Sequence, residues 1–370
     1  MNSRALVSVW LKSLVMLVAM SLLGCSDEPS TSSMRALTDP PEGFKQAHSG
    51  MQIEFPRDMG PHPEYRLEWW YLTANLESVN GEQFGVQWTL FRNGIKPGPY
   101  ANDERDKTLG WQRNEVWFAH AAVSRPTQHR FADRAARGGN GQADVVADPF
   151  RAWIDHWQMA SDGDGHWILE VAEPEFRFRL RIKPQLPPIF HGEQGFSAKS
   201  AGGGGSMYFS YPYLAIDGEI TILDQEDTVT FTVSGQGWFD REWSSQYLRE
   251  DQTGWDWMAL HLDDGRHLMV FRVRGAEDYF SATLVAADGT AVALKPDDFS
   301  LVATKHRNTQ FGQVPVAWAL AVPSAGLELD VRSWPGEYWN TGAMRYWEGP
   351  VTVEGSHNGA GYLEMTGYGD

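Results

Sequence analysis

Apolar and polar residues alternate with a period of two along much of the chain. Phe176-Arg-Phe-Arg-Leu-Arg-Ile-Lys183 sends every apolar side chain to one face and every cation to the other. Val229-Thr-Phe-Thr-Val233 and Leu327-Glu-Leu-Asp-Val-Arg332 repeat the pattern. Strands of this kind bury one face and wet the other, which favours antiparallel sheets. Turn signals separate such runs at Asn80-Gly81, Asp162-Gly163, Asp217-Gly218, Asp264-Gly265 and Asp288-Gly289. No stretch sustains a helical period, and Pro296-Asp-Asp-Phe-Ser-Leu reads at most as a short helix. The expected fold class is all-β.

One pattern occurs twice. Glu68-Trp-Trp-Tyr-Leu-Thr-Ala-Asn-Leu76 passes through Gly81 to Val86-Gln-Trp-Thr-Leu-Phe-Arg92. Gly254-Trp-Asp-Trp-Met-Ala-Leu-His-Leu262 passes through Asp264-Gly265 to Leu268-Met-Val-Phe-Arg272. Either these are two ordinary amphipathic hairpins, or they mark two copies of one β-unit. Two sheets that each close on themselves would lose their exposed edges and could enclose a ligand. The segment from Lys183 to Gly205 reads as an irregular connection, a linker or a loop over a barrel mouth. The boundary between units is expected between Gln246 and Thr253, giving a first domain over 47–248 and a second over 249–370.

The N-terminus follows a different rule. Residues 1–24 carry Arg4 and Lys12, no acid, and an apolar run that ends at Leu22-Leu23-Gly24-Cys25. A basic start, a short apolar stretch and small residues at the cut describe a secretory signal. The run is shorter than the roughly 20 residues a spanning helix needs. Leu-x-Gly-Cys is the lipobox pattern, and Cys25 is the single cysteine of the chain. A lone cysteine cannot form an internal disulfide, and lipidation explains it. Ser26 in place of Asp points to the periplasmic face of the outer membrane, with residues 25–46 as a flexible tether. The body would then be extracytoplasmic and held at a membrane through Cys25.

Charge narrows the partners. Removing Arg4 and Lys12 with the signal leaves 29 cations against 48 acids, a formal charge of −19. That balance disfavours nucleic acid, which needs clustered cations. The outlier is aromatic: 17 Trp among 370 residues. An indole N–H needs a partner when buried, so such an excess suggests aromatic-lined cavities as well as packed cores.

Motifs for serine hydrolysis and zinc binding are missing, so no cofactor or metal is expected. The densest constellation is Gly235-Gln-Gly-Trp-Phe-Asp-Arg-Glu-Trp-Ser-Ser245, followed by Trp255-Asp-Trp257. If Asp240 faces an apolar cavity, desolvation would keep it protonated and able to act as an acid. Glu242 and Trp243 would accompany it, and indole faces such as Trp238 could stabilise a developing cation. If Arg241 instead pairs with Asp240 or Glu242, the carboxylate stays ionised and locks the strand. Glu68-Trp69-Trp70-Tyr71 carries the same ambiguity between a cavity wall and a pinned strand end. The candidate ligand contacts are therefore Glu68, Trp69, Trp70, Tyr71, Trp238, Arg241, Trp255, Asp256 and Trp257. His120, in Trp117-Phe-Ala-His-Ala-Ala122, reads as a satisfied core histidine.

The pieces Glu68-Trp-Trp-Tyr, Gln87-Trp-Thr-Leu-Phe-Arg92, Phe118-Ala-His-Ala, Gly237-Trp-Phe-Asp-Arg-Glu-Trp243, Trp255-Asp-Trp257, Tyr346-Trp-Glu-Gly-Pro-Val and Gly361-Tyr-Leu-Glu-Met-Thr-Gly-Tyr368 occur in order. From about Phe55 onward the chain resembles the family of carotenoid 1,2-hydratase (hydroxyneurosporene synthase) and AttH-like proteins. The resemblance implies two tandem lipocalin-like antiparallel β-barrels. Its hydratase branch implies cofactor-free addition of water to a terminal alkene, with an acid at Asp240 and Trp243 beside it. Two departures stand against carotenoid hydration itself. Arg241-Glu242 replaces the His-Asn of the hydratases, and Arg272 stands where a second acid falls.

The function read from the sequence is a lipid-anchored tandem β-barrel that binds an apolar or amphipathic small molecule in an aromatic-lined pocket, and two alternatives stand beside it. One is a cofactor-independent hydratase, lyase or isomerase working by acid catalysis. The other is an accessory envelope protein that serves a transporter or assembly machine.

Overall fold

The computed structural model describes residues 42–97, 113–223, 227–342 and 344–369. The signal segment, Cys25 and most of the tether lie outside the described residues. The fold is all-β, two tandem lipocalin-like antiparallel sheets, one nearly closed into a barrel and the other a half-barrel. Among the described residues the helical elements are single 3-10 turns at Arg57–Met59, Pro296–Asp298 and Pro323–Ala325.

The first sheet has 13 strands. From one edge it runs Gln128–Arg137, Glu115–Arg125, Gln83–Gly94, Leu67–Ser78, Thr228–Ser244 and Gly205–Leu223. It continues through Phe176–Pro184, Trp167–Ala172, Trp157–Ser161, Phe150–Ile154 and Ala143–Ala147. The second sheet has 10 strands, starting Ala291–Leu294, Tyr279–Val285, His267–Gly275, Gln252–Leu262 and Gly359–Met365. Arg345–Gly355, Leu327–Ser333, Gly312–Val322 and Ser300–Thr309 complete its path.

The period-two reading holds residue by residue in two of the three segments; in Val229–Val233 only Val233 is buried, Phe231 is half-buried and Val229 is exposed. Phe176–Ile182 and Leu327–Val331 alternate buried and exposed without a break. Glycines 81, 163, 265 and 289 sit at hairpin tips with φ between 82° and 88°, the left-handed region that glycine enters freely. Asp217-Gly218 is not a turn. It lies within the strand Gly205–Leu223, paired to Arg181 and Leu180, and a Cβ on Gly218 would fall 2.2 Å from the Arg179 carbonyl oxygen. The segment 183–205 is not a plain linker either. Two short strands in it, Ile189–Phe190 and Phe196–Ala198, pair with Gly205–Leu223 and bring His191 and Lys199 into the interior.

Three apolar clusters fill the molecule. One, around Trp70, Trp88, Trp117 and Phe239, fills the first barrel; another, around Met258, Trp318 and Trp347, fills the second. The third lies between the sheets and joins Tyr71, Tyr208, Trp238 and Tyr247 to Trp255, Trp257 and Phe271. The two echoed hairpins therefore face each other. Tyr71 meets Trp257 edge-on at 5.2 Å between centroids, and Tyr247 bridges Trp69 at 4.9 Å and Trp255 at 5.1 Å. Such pairs add roughly 0.5–1.5 kcal/mol each beyond the area they bury.

The sheets also meet by backbone. Asn75 Nδ2 donates to the Gly361 carbonyl at 3.0 Å. Gly85 makes the closest approach, since a Cβ there would lie 2.2 Å from Pro350 Cγ and 2.5 Å from the Tyr362 hydroxyl. We predict that Gly85→Val costs about 1–3 kcal/mol by overpacking and loosens the junction while each sheet persists. Thermal unfolding followed by tryptophan fluorescence and far-UV dichroism checks this, and an unchanged midpoint would refute it.

Candidate functional site

The two strands nearest the junction are buried on both faces, so neighbouring residues enter different surroundings. In Gly237–Ser244, Phe239, Arg241 and Trp243 point into the first barrel while Trp238, Asp240 and Glu242 face the second sheet. In Leu67–Leu72, Glu68 and Trp70 point inward while Trp69 and Tyr71 face outward.

The inward set forms an ion cluster. The Glu68 carboxylate accepts from Arg92 Nε and Arg241 Nη2, and from the His62 backbone N–H at 3.0 and 2.9 Å. Arg241 also donates to the Gly60 carbonyl at 2.6 Å, and its guanidinium lies 3.9 Å over the Trp70 ring. His62 stacks on Trp243 at 4.0 Å and reaches Asp58 at 3.1 Å. Burial pushes the Glu68 carboxyl up, yet the two guanidiniums outweigh it and hold it well below the usual carboxylate range. Arg241 thus pairs with Glu68 rather than with Asp240 or Glu242. This set pins the loop 57–65 to the barrel wall.

The outward set lines a cavity of about 300 Å³ between the two sheets, not inside either barrel. That volume sits at the lower end of small-molecule sites, roughly 300–1,000 Å³. Trp69, Tyr71, Asp240, Glu242, Trp255 and Trp257 line it, with Glu68 and Arg92 at its border. Trp70, Trp243 and Arg241 belong to the ion cluster instead. Trp238 is fully buried behind the cavity, and Asp256 points the other way, 3.5 Å from Arg274 and 3.6 Å from Arg272.

Asp240 receives three donors. Tyr208 donates its hydroxyl to Oδ2 at 2.7 Å, while Trp238 Nε1 at 2.5 Å and the Ser210 hydroxyl both reach Oδ1. Ser210 lies 2.7 Å from His191 Nε2, and His191 Nδ1 lies 2.8 Å from Thr283. Trp257 Nε1 donates to the Tyr208 oxygen at 3.1 Å. Burial dominates these bonds and pushes the Asp240 carboxyl up to about 7.

Glu364 enters the same cavity from the second sheet, accepting from Trp255 Nε1 at 2.6 Å. Burial, with the charges of Asp240 and Glu242 added, pushes it to about 7 as well. Neither acid has an ion-pair partner among the described residues. Glu242, by contrast, is paired to Lys199 at 2.8 Å, and that ammonium sits over the rings of Phe271, Tyr208 and Tyr247 at 4.4, 5.1 and 5.1 Å.

The sequence reading missed Tyr208, Ser210, His191, Lys199 and Glu364. A second buried acid, Glu364, comes from Gly359–Met365, separated from the expected strand by Gln252–Leu262, while Phe271 lines the cavity and Arg272 turns away to Asp278 at 2.6 Å. His120 is buried but is more than a core residue, because it lines the cavity. Parity was the available signal. Trp238-x-Asp240-x-Glu242 and Phe118-x-His120 each mark one face of a strand. Among the described residues no group of three or more His, Cys, Asp or Glu is placed to hold a metal.

Fold and site define a class: a tandem lipocalin-like β protein, one sheet a nearly closed barrel and the other a half-barrel, with a small, aromatic, acid-bearing cavity between them. Residues 46–368 match the AttH-like family model, and the chain belongs to the AttH-like family. An AttH-type protein of Nitrosomonas europaea, solved at 2.00 Å, is 30% identical, with 88% of this chain and 100% of that one covered at a TM-score of 0.75. Kievitone hydratase of Nectria haematococca shares the fold at 13% identity and a TM-score of 0.63, covering 88% of this chain and 98% of its own. CghA, solved with Sch210972, shares it at 12% identity and a TM-score of 0.54 over 90% and 96% of the two chains. No curated protein sequence matches the chain significantly.

We predict that Glu68→Gln leaves the buried Arg241 guanidinium without its anion, and Arg92 with Glu115 at 3.3 Å, and costs about 3–5 kcal/mol at neutral pH. The folded carboxyl stays ionised where the unfolded one, near 4.5, takes up a proton. Its stabilisation is therefore present above about pH 4.5 and lost as pH falls. Denaturant unfolding from pH 7 to 3 should show wild type and variant converging in acid, and a constant difference would contradict the assignment.

Proposed function

We propose that this protein is a cofactor-independent acid–base catalyst acting on an unsaturated, apolar or amphipathic small molecule, by hydration and its reverse or by isomerisation. The observation that carries the reading is the pair of buried carboxyls, Asp240 and Glu364, facing one aromatic cavity without a cation partner. Two interacting acids near 7 lose their protons in two steps that belong to the pair. Near neutrality one holds its proton while the other is ionised, which is the division of labour that general acid–base catalysis needs.

In the hydration direction, protonated Asp240 gives its proton to an alkene carbon, leaving a carbocation between the faces of Trp257, Trp255 and Tyr71. Ionised Glu364 takes a proton from water as the water oxygen bonds to the cation. The net change is addition of one H₂O, with the two carboxyls exchanging roles. Loss of a neighbouring C–H proton instead gives the isomer. The fold-level kinship to kievitone hydratase, a named hydratase, agrees with this class of reaction. The apolar cavity alone suits a carrier, and the test separates the two.

We predict that the protein incubated in D₂O with a panel of isoprenoid alkenes incorporates deuterium into recovered substrate or product. Asp240→Asn should lower this by at least 100-fold, since general acids contribute roughly 10²–10⁴-fold, with binding retained. Because the donor must be protonated, the wild-type rate should fall as pH rises through about 7. Binding without any exchange across the panel would leave the carrier function.

We further propose that the chain is exported and tethered through a lipid on Cys25. Intact-mass measurement of protein from a bacterial envelope should show cleavage before Cys25 and diacylglyceryl modification, with Cys25→Ser released to the soluble fraction. An unmodified Cys25 on membrane-recovered protein would refute the anchor.

A further inference from the structure

The polar groups at the far end of the cavity take no part in the proton transfers above. Strand pairing puts Ser210, Asp240, Tyr71, Thr89 and His120 in one row across five strands of the first sheet. Asp240 and His120 are three strand steps apart, roughly 14 Å at about 4.8 Å per step. The cavity is therefore a slot running across the strands, with the acid at one end and an imidazole at the other. Facing it, Phe271, Trp257, Glu364 and Glu348 form the matching row of the second sheet.

His120 is 4% exposed and sits edge-on to Phe91 at 5.2 Å and Phe131 at 5.3 Å. Its Nδ1 lies 2.8 Å from the Tyr346 hydroxyl, which accepts from Gln87 Nε2 at 3.2 Å. Its Nε2 has no hydrogen-bond partner among the described residues. Burial drives the imidazole down to about 3, so the ring is neutral around pH 7. With Nδ1 committed to Tyr346, Nε2 offers one donor or one acceptor, depending on the tautomer. A hydroxyl satisfies either, because it both donates and accepts. An anion gains no counter-charge from the ring and meets the buried carboxyls of Glu348 and Glu364.

We infer that His120, braced by Tyr346, is the specificity-determining residue for an uncharged hydroxyl at the end of the ligand away from Asp240. This rests on the catalytic reading only for which end carries the alkene, and binding at His120 is measured without turnover.

The probes are farnesol, the hydrocarbon farnesene and farnesoic acid, with dissociation constants read from quenching of tryptophan fluorescence. Wild type should bind the alcohol roughly five- to tenfold more tightly than the hydrocarbon, the value of one net hydrogen bond. His120→Phe, which suits the Phe91 and Phe131 surroundings, should bring the two probes to parity. His120→Gln, able to bond the same hydroxyl, should recover part of the preference, and Asp240→Asn should keep all of it. The inference is overturned if His120→Phe keeps the preference, if the acid binds more tightly than the alcohol, or if wild type binds none of the three. An intact preference without deuterium exchange sinks acid catalysis and leaves the His120 assignment standing.

Discussion

Two-sided burial of the strand Leu67–Ser78 and of the Gly237–Ser244 half of its neighbour is the constraint from which the rest of the structure follows. A strand at a wet wall has one face to satisfy, and its polar residues go to solvent. At the junction of two barrels there is no wet face, so each polar side chain needs a protein partner. Glu68 finds two guanidiniums and the backbone N–H of His62, shared between both its oxygens, on the inner side. Asp240, one residue from Arg241, finds only neutral donors on the outer side. The two carboxyls are buried alike and shifted in opposite directions, and strand parity decides which is which.

Much of the fold is legible in the residues because exposed walls obey the period-two rule. Phe176–Pro184 and Leu327–Ser333 read correctly from apolar spacing alone, and the hairpin glycines mark their own tips. The junction is where legibility fails. In Gly237-Trp-Phe-Asp-Arg-Glu-Trp243 both faces are buried, so alternation of character disappears and seven neighbours read as one constellation. They are two sites, back to back. Trp70 and Arg241 read as ligand contacts because they adjoin Tyr71 and Asp240 in sequence, yet they serve the inner ion cluster. Glu364 was hidden for a different reason: it reaches Asp240 through tertiary packing between sheets, and no local pattern encodes that meeting. Lys199 and His191 were hidden because a Pro- and Gly-rich stretch resembles a linker even when short strands fasten it.

The distribution of charge around the cavity follows from which cations are already committed. Arg92 and Arg241 are engaged with Glu68, Arg272 with Asp278, and Lys199 with Glu242. Lys199 is caged by three aromatic rings, whose faces stabilise the ammonium where water cannot. Neutralising Glu242 in this way leaves Asp240 and Glu364 as the carboxyls that share the cavity without a counter-ion. Desolvation then raises both, with the charge of Glu242 adding to each and that of Asp240 adding to Glu364.

A site built only to hold an apolar molecule gains no affinity for it from such acids. A carboxyl raised from 3.8 to about 7 draws its stabilisation from the bound proton. That contribution is complete below about pH 4 and is lost as pH climbs through 7. An amide in the same place would escape the loss. It would also forfeit one of the acceptor oxygens that now take up Tyr208, Ser210 and Trp238, so part of the acid's value is structural. What the amide could never supply is a transferable proton poised at neutrality against an aromatic wall. The hydrogen bonds explain why an oxygen-rich group stands at Asp240, and burial without a counter-ion explains why its carboxyl is pushed up to about 7.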